Sequence, residues 1–131
     1  MIKKISRYLI VTITVLISFF LISVATSKII FENHNGVQRE VEGENRASLM
    51  QVAVDNGIDE IYAECGGALS CGTCHCYIDS SWADRIPEPS NIELLMLDCV
   101  LNKKDNSRLS CQIDISEDLE GMVVKLPSSQ Y

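Results

Sequence analysis

Residues 65–76 read CGGALSCGTCHC and hold four of the six cysteines in this chain of 131 residues. Five residues separate Cys65 from Cys71, two separate Cys71 from Cys74, and Cys111 follows far downstream. The stretch also contains glycines, which let the backbone fold tightly and aim its N–H groups inward. These glycines are Gly66, Gly67 and Gly72. The pattern predicts a loop whose thiolates wrap one small charged group, with a fourth thiolate supplied by a distant strand.

Four thiolates suit either a zinc ion or an iron–sulfur cluster. Structural zinc usually takes two CxxC pairs, whereas this chain has one, Cys71–Cys74, so the spacing favours a [2Fe–2S] cluster. Plant-type clusters are held by C-x4-C-x2-C and a distant cysteine, and here the first gap is one residue longer. Two alternatives stay open, a zinc-stapled interaction domain without redox activity and a disulfide-bonded exported domain.

The longer first gap is typical of one ferredoxin family. This chain matches the pattern of that family, C-x5-C-x2-C-H followed by a distant cysteine. The stretches MLDCV, SRLSCQI and VVKLP also match motifs of the family and occur in the same order. On these motifs residues 28–131 closely resemble the adrenodoxin/putidaredoxin-like [2Fe–2S] ferredoxins. The resemblance implies a β-grasp fold, one-electron transfer, four cysteines that bind the cluster through its irons, and a supporting role for the loop glycines and the histidine. The residues that match the pattern are Cys65, Cys71, Cys74, His75 and Cys111.

The remainder of the domain predicts an α+β fold with two short helices. Ser48 and Ser90 each stand three residues before Gln51 or Glu93, which is the capping-box pattern that begins a helix. Runs of strand-like residues flank these helices, and an Asn-Gly turn joins the first two runs. The runs occupy residues 28–31, 37–42, 76–79, 109–115 and 122–126. The predicted order is β-β-α-loop-β-α-β-β, a mixed sheet with a helix packed on it.

Composition narrows the possible functions. The formal net charge is −7, which argues against nucleic acid as a partner because binding phosphate requires a basic surface. Aromatic residues make up 6% of the chain, too few to suggest a platform for stacking bases. The sequence has no nucleotide-binding fingerprint and no catalytic-triad pattern. Together with the electron transfer that the resemblance implies, these absences predict a protein that is not an enzyme.

Acidic residues near the second helix are candidate docking contacts. In the family that the chain resembles, acidic residues on this helix bind basic reductases and electron acceptors, and such attraction speeds association. The resemblance implies a flavoprotein NAD(P)H-dependent ferredoxin reductase as electron donor. It implies a cytochrome P450 or the iron–sulfur assembly machinery as acceptor. The candidate docking residues are Asp84, Glu88, Glu93, Asp98 and the terminal aromatic Tyr131.

Two cysteines lie outside the ligand pattern. Cys76 follows the loop in a predicted strand, and Cys99 lies just after the apolar second helix. Free cysteines often behave as small hydrophobic residues. Both are therefore predicted to be buried free thiols.

Residues 1–27 form a separate hydrophobic segment. Tyr8–Ala25 contains no charge and follows Lys3, Lys4 and Arg7, and about 20 apolar residues cross a bilayer as a helix. The segment predicts a membrane anchor by one transmembrane helix, a cleaved signal peptide or a start codon assigned too far upstream. The basic residues would send the domain outward, whereas cluster insertion favours a reducing compartment. We expect a cytoplasmic ferredoxin domain that this segment tethers to a membrane.

Overall fold

The N-terminal segment contains a helix outside the globular part of the chain. The computed structural model describes residues 2–20 and 23–131, and helix α1 spans Ile2–Phe20. Its side chains between Tyr8 and Val15 are exposed. None of the helices in these described ranges combines the length and the apolar character needed to cross a bilayer, so the predicted transmembrane helix is not supported. Residues 21 and 22 of the predicted anchor lie outside the described ranges.

Five strands form one mixed sheet. The strands are β1 (Thr26–Glu32), β2 (Gln38–Glu44), β3 (His75–Ile78), β4 (Ser107–Leu109) and β5 (Met122–Lys125). Their order across the sheet is β2-β1-β5-β3-β4, in which β1 and β5 run parallel and the other neighbours antiparallel. Strand β1 begins two residues before the predicted domain boundary at Lys28. The parallel pairing brings the two ends of the domain together in the centre of the sheet.

The predicted turn between the first two strands is confirmed. The Gly36 N–H donates to the carbonyl of Asn33, and the Asn33 side chain accepts from the backbone N–H groups of Asn35 and Val37. Gly36 has a φ of +80°, which glycine adopts without steric cost. The Asn-Gly pair therefore fixes the register of the hairpin.

Both capped helices are present. Helix α2 spans Leu49–Asp55 and helix α3 spans Asn91–Leu97. The hydroxyls of Ser48 and Ser90 accept the N–H groups of the residues three positions later, as the sequence predicts. Short 3₁₀ helices occupy Ser80–Arg85, Ser110–Gln112 and Glu117–Leu119. Helix α2 covers one side of the sheet, and its buried residues join the core.

The prediction of one continuous strand over residues 109–115 is wrong. Strand β4 ends at Leu109, and a 3₁₀ turn follows. Ser110 donates both its N–H and its hydroxyl to the carbonyl of Cys74, which bends the chain toward the loop of residues 65–74. Ile113 and Ile115 are still buried, and this alternation resembles a strand. The bend brings Cys111 to the loop.

Candidate metal centre

The loop of residues 65–74, called here the cluster loop, has a backbone conformation that favours glycine at two positions. Gly67 and Gly72 both have positive φ, +92° and +67°. A Cβ atom on Gly72 would lie 3.1 Å from Cγ1 of Val100, and one on Gly67 would lie 3.5 Å from Cβ of Cys111. A side chain at either position would strain the backbone, and one at position 72 would also press on Val100.

The four predicted ligands form two pairs of thiols. The Cys65 N–H donates to Sγ of Cys71 over 3.3 Å, and the two side chains are also hydrogen-bonded. Cys74 and Cys111 form the second pair, in which each thiol shifts the pKa of the other. Cys74 is buried and the other three are half-buried. The fold therefore brings Cys111 to the loop, although 36 residues separate it from Cys74.

Each pair favours a thiolate on one of its sulfurs. The hydrogen bond from Cys71 lowers the pKa of Cys65 to about 6, and the bond from Cys74 lowers the pKa of Cys111 to about 7. The pKa of Cys74 is raised well above its usual range because this thiol donates to Cys111 and is buried. Thiolates are the form that binds metals. Cys65 and Cys111 are therefore the thiols that most readily become metal-binding thiolates.

Polar donors point at the sulfurs. The Thr73 hydroxyl lies 3.1 Å from Sγ of Cys71, and Nε2 of Gln112 lies 3.4 Å from Sγ of Cys111. Such donors stabilise negative charge on sulfur. In the described ranges, no three cysteine, histidine or acidic side chains are close enough to hold a single metal ion. Two pairs of thiols fit the two irons of a [2Fe–2S] cluster better than they fit one tetrahedral zinc.

His75 connects the cluster loop to strand β4. The ring is buried, its Nε2 is 2.8 Å from the Ser107 hydroxyl, and it packs edge-on against Tyr77. Burial, with a smaller contribution from Lys104, lowers the pKa of His75 to about 4. The ring is neutral near pH 7. It holds the end of the loop by hydrogen bonding and packing.

Known proteins share this arrangement. The sequence profile of a family described as 2Fe-2S iron–sulfur cluster binding domain matches residues 32–116. Putidaredoxin from Pseudomonas putida is 43% identical over 106 residues, which cover 80% of this chain and 99% of that protein. A crystal structure of a reduced putidaredoxin variant from the same organism matches with a TM-score of 0.78 at 42% identity, covering 80% of this chain and 100% of the other. A covalent complex of putidaredoxin reductase and putidaredoxin matches with a TM-score of 0.74 at 44% identity, covering 77% and 98%.

The chain belongs to the putidaredoxin-like [2Fe–2S] ferredoxins. Its fold is accordingly the β-grasp ferredoxin fold, as the sequence predicts. The ferredoxin is a one-electron carrier with a [2Fe–2S] cluster and not an enzyme. The zinc-stapled alternative is thereby excluded. The same family membership excludes the disulfide-bonded alternative, and the structure has all six cysteines as free thiols.

The prediction that Glu93 is a docking residue of the ferredoxin is wrong. Its side chain is 1% exposed, and its carboxylate accepts from Nε and Nη2 of Arg108 at 2.8 and 3.1 Å. It also accepts the N–H of Leu109 at 2.9 Å, while Nη1 of Arg108 donates to the carbonyl of Pro87. A buried carboxylate inside such a network cannot contact a partner.

The other docking candidates of the ferredoxin are exposed. Asp84 and Glu88 lie on the surface before α3, and Asp98 lies at its end with an ion pair to Lys103. Tyr131 is exposed, its hydroxyl donates to the Glu64 carboxylate and its ring faces that of Tyr62. These four residues are available to a partner.

The two spare cysteines of the ferredoxin differ in exposure. Cys76 is fully buried in β3, as predicted, and burial raises its pKa to about 12. Cys99 was predicted to be buried, and this prediction is wrong. The residue follows the end of α3 at Leu97, and its side chain is exposed because none of the described elements covers it.

Proposed function

We propose that this ferredoxin accepts electrons from an NAD(P)H-dependent flavoprotein ferredoxin reductase and passes them to a cytochrome P450 monooxygenase or to the iron–sulfur assembly machinery. The observation that supports the donor is the likeness to putidaredoxin in its covalent complex with putidaredoxin reductase. The family resemblance supports a cytochrome P450 or the assembly machinery as the electron acceptor. Both partners would approach the cluster loop, where Cys65 and Cys71 are half-buried at the surface.

We also propose that Cys65, Cys71, Cys74 and Cys111 bind the cluster. The two pairs of neighbouring thiols support this assignment, since each pair would hold one iron. When bound, the cluster supplies a one-electron redox couple at a nearly constant geometry. The residues of the chain hold it and stabilise the added negative charge through N–H and hydroxyl donors, such as the Thr73 hydroxyl.

Serine substitutions test the ligand set. Cys65→Ser and Cys111→Ser are expected to abolish the normal visible spectrum and to lower bound iron and acid-labile sulfide. Cys76→Ser and Cys99→Ser are matched controls, since neither belongs to a pair, and they should retain about two irons and two sulfides per chain. A Cys65 or Cys111 variant with the full wild-type cluster would overturn the assignment.

A surface that joins α3 to the cluster loop is the proposed docking site. Ile92 and Leu95 on α3 are 60% and 69% exposed, and Leu94 is also exposed. Val100 connects this surface to Gly72 in the loop. The exposed acids around it include Asp84, Glu88 and Asp98. Apolar contacts at the centre and acids at the rim suit a partner that must bind quickly and leave.

A kinetic experiment tests the donor. Purified putidaredoxin reductase and NADH are mixed with the holo-ferredoxin, and reduction is followed by loss of visible absorbance. We expect rapid reduction that slows as ionic strength rises, because the docking acids are exposed. No reduction at micromolar concentrations of both proteins would contradict a reductase of this type. Addition of a purified P450, with product measured, then tests the acceptor.

We further propose that the ferredoxin domain lies in the cytoplasm and that Tyr8–Ala25 tethers it to a membrane surface. Free cysteines and cluster insertion favour a reducing compartment. The exposed apolar side chains between Tyr8 and Val15, preceded by basic residues, suit a helix that lies in a lipid interface. Cell fractionation with a tag at each end tests this. A chain that lacks residues 1–25 in cells, or that stays wholly in the soluble fraction, would contradict the tether.

A further inference from the structure

The last residues of the chain lie beside both ends of the cluster loop. Nε2 of Gln130 donates to the carbonyl of Glu60 over 2.9 Å and to the carbonyl of His75 over 3.0 Å. Glu60 precedes the loop and His75 follows it directly. One buried side chain, 8% exposed, therefore bonds to the backbone on each side of the segment that carries Cys65, Cys71 and Cys74.

The position of β5 explains why a side chain makes these bonds. The register that pairs Tyr77 with Lys125 would place Pro127 opposite His75 if it continued. Proline has no N–H to donate to a strand ladder, and β5 ends at Lys125. Gln130 follows Pro127 by three residues, and its side-chain amide donates to the carbonyl of His75 on the same edge of β3. It thus supplies a donor beyond the point where the sheet stops.

The orientation of the Gln130 amide is set by its two acceptors. Carbonyl groups accept only, so both must face the NH₂ group, and the amide cannot be turned over. Its Oε1 is left buried without a hydrogen-bond partner in the described part of the chain. An unsatisfied buried acceptor is unfavourable. The fold accepts this unsatisfied oxygen because the NH₂ group of the same amide satisfies two backbone carbonyls. We infer from this that the two hydrogen bonds position the loop.

The cluster loop is held from the opposite side as well. The carbonyl of Cys74 accepts from the N–H and the hydroxyl of Ser110, next to Cys111. The carbonyl of the following residue, His75, accepts from the C-terminal tail. The carbonyls of Cys74 and His75, which are adjacent in sequence, are therefore hydrogen-bonded to two different segments, the turn at Ser110 and the C-terminal tail at Gln130.

We propose that Gln130 is a positioning residue that clamps both ends of the cluster loop, so that the C-terminal tail controls how firmly the ferredoxin retains its cluster. This proposal rests on the proposed ligand set. Tyr131 contributes less to the clamp, because it is exposed and its hydroxyl bonds to the Glu64 side chain, which lies before the loop. Loss of the Gln130 amide would free the backbone on both sides of the ligands, whereas loss of the Tyr131 hydroxyl would free one exposed contact.

The test compares cluster retention in the full-length holo-protein. Gln130→Met keeps the size of the side chain and removes both donors. We expect its cluster to be lost about tenfold faster in excess chelator, followed by visible absorbance. The visible circular dichroism of the cluster should change because the ligand loop shifts. Peptides covering residues 60–64 and 75–77 should exchange backbone hydrogens faster.

The structure offers a matched control in Arg39. Its guanidinium also donates to two backbone carbonyls, those of Gly57 at 2.8 Å and Asn56 at 2.7 Å, at the end of α2. Arg39→Met removes the same number of bonds to backbone carbonyls, from an exposed side chain away from the cluster loop. It should leave the cluster dichroism and the rate of cluster loss near wild type. Tyr131→Phe should also remain near wild type.

The outcomes separate the clamp from the ligand assignment. A wild-type protein that holds no iron would refute the proposed function itself. A wild type with a full cluster and a Gln130→Met variant that loses it at the same rate would refute the clamp alone. Equal acceleration in Arg39→Met would also refute it, because general destabilisation would then suffice. If Gln130→Met accumulates without cluster, the shorter Gln130→Asn provides the same comparison.

Discussion

The buried pair of Glu93 and Arg108 is expected to be a major determinant of stability. The Glu93 carboxylate accepts three hydrogen bonds, two from Arg108 and one from the Leu109 N–H. Glu93→Ala would leave the Arg108 guanidinium buried and without its counter-charge. Removal of one partner from such a pair costs about 3–5 kcal/mol in the free energy of unfolding. Domains of this size are stable by about 5–15 kcal/mol, so one substitution would remove much of the total.

The perturbation also reaches the cluster through β4. Glu93 joins α3 to Leu109, which lies two residues before the proposed ligand Cys111. We therefore expect Glu93→Ala to weaken cluster retention as well as folding. Urea unfolding of the full-length holo-protein, kept anaerobic and followed by far-UV circular dichroism and cluster absorbance, measures both.

Two further variants test whether the loss of stability comes from an unpaired buried charge. The double variant Glu93→Leu/Arg108→Met removes both charges and should be less destabilised than Glu93→Ala alone, since no unpaired charge remains. Asp98→Ala breaks an exposed ion pair with Lys103, whose side chain is 44% exposed, and should cost less than about 1 kcal/mol. A Glu93→Ala variant within about 1 kcal/mol of wild type, or a double variant at least as destabilised as Glu93→Ala, would refute the reasoning.

Three other substitutions test the packing and the docking surface. Gly43→Ala would place a Cβ 2.6 Å from Cγ2 of Val52 and should destabilise the protein by about 1–3 kcal/mol, measured by urea unfolding; an unchanged midpoint would contradict this. Gly72→Ala combines a φ of +67° with a contact of 3.1 Å to Val100, so cluster loss in chelator should be faster than in wild type, and an equal rate would count against a tight loop. Leu95→Lys should slow reduction by the reductase while leaving the visible spectrum unchanged, and an unaltered rate would place docking elsewhere.

The sequence by itself determined the chemistry of this protein and most of its local structure. The spacing of Cys65, Cys71 and Cys74 predicts a cluster site because ligands in one loop must lie close together, whereas Cys111 reaches the loop only through the bend after β4. Serine caps and the Asn-Gly turn predict α2, α3 and the first hairpin, because these signals act over three or four residues.

Only the tertiary structure decided which polar groups are buried and what they bind. In the sequence, Glu93 resembles a surface acid on a short helix. Its partner Arg108 lies 15 residues away in β4, and the alternation of apolar residues predicted the wrong bounds for that strand. Gln130 bonds to carbonyls that are 70 and 55 residues distant. Such contacts depend on the strand order and on where β5 stops. Pairings of this kind follow from sheet register, and local sequence patterns do not encode them.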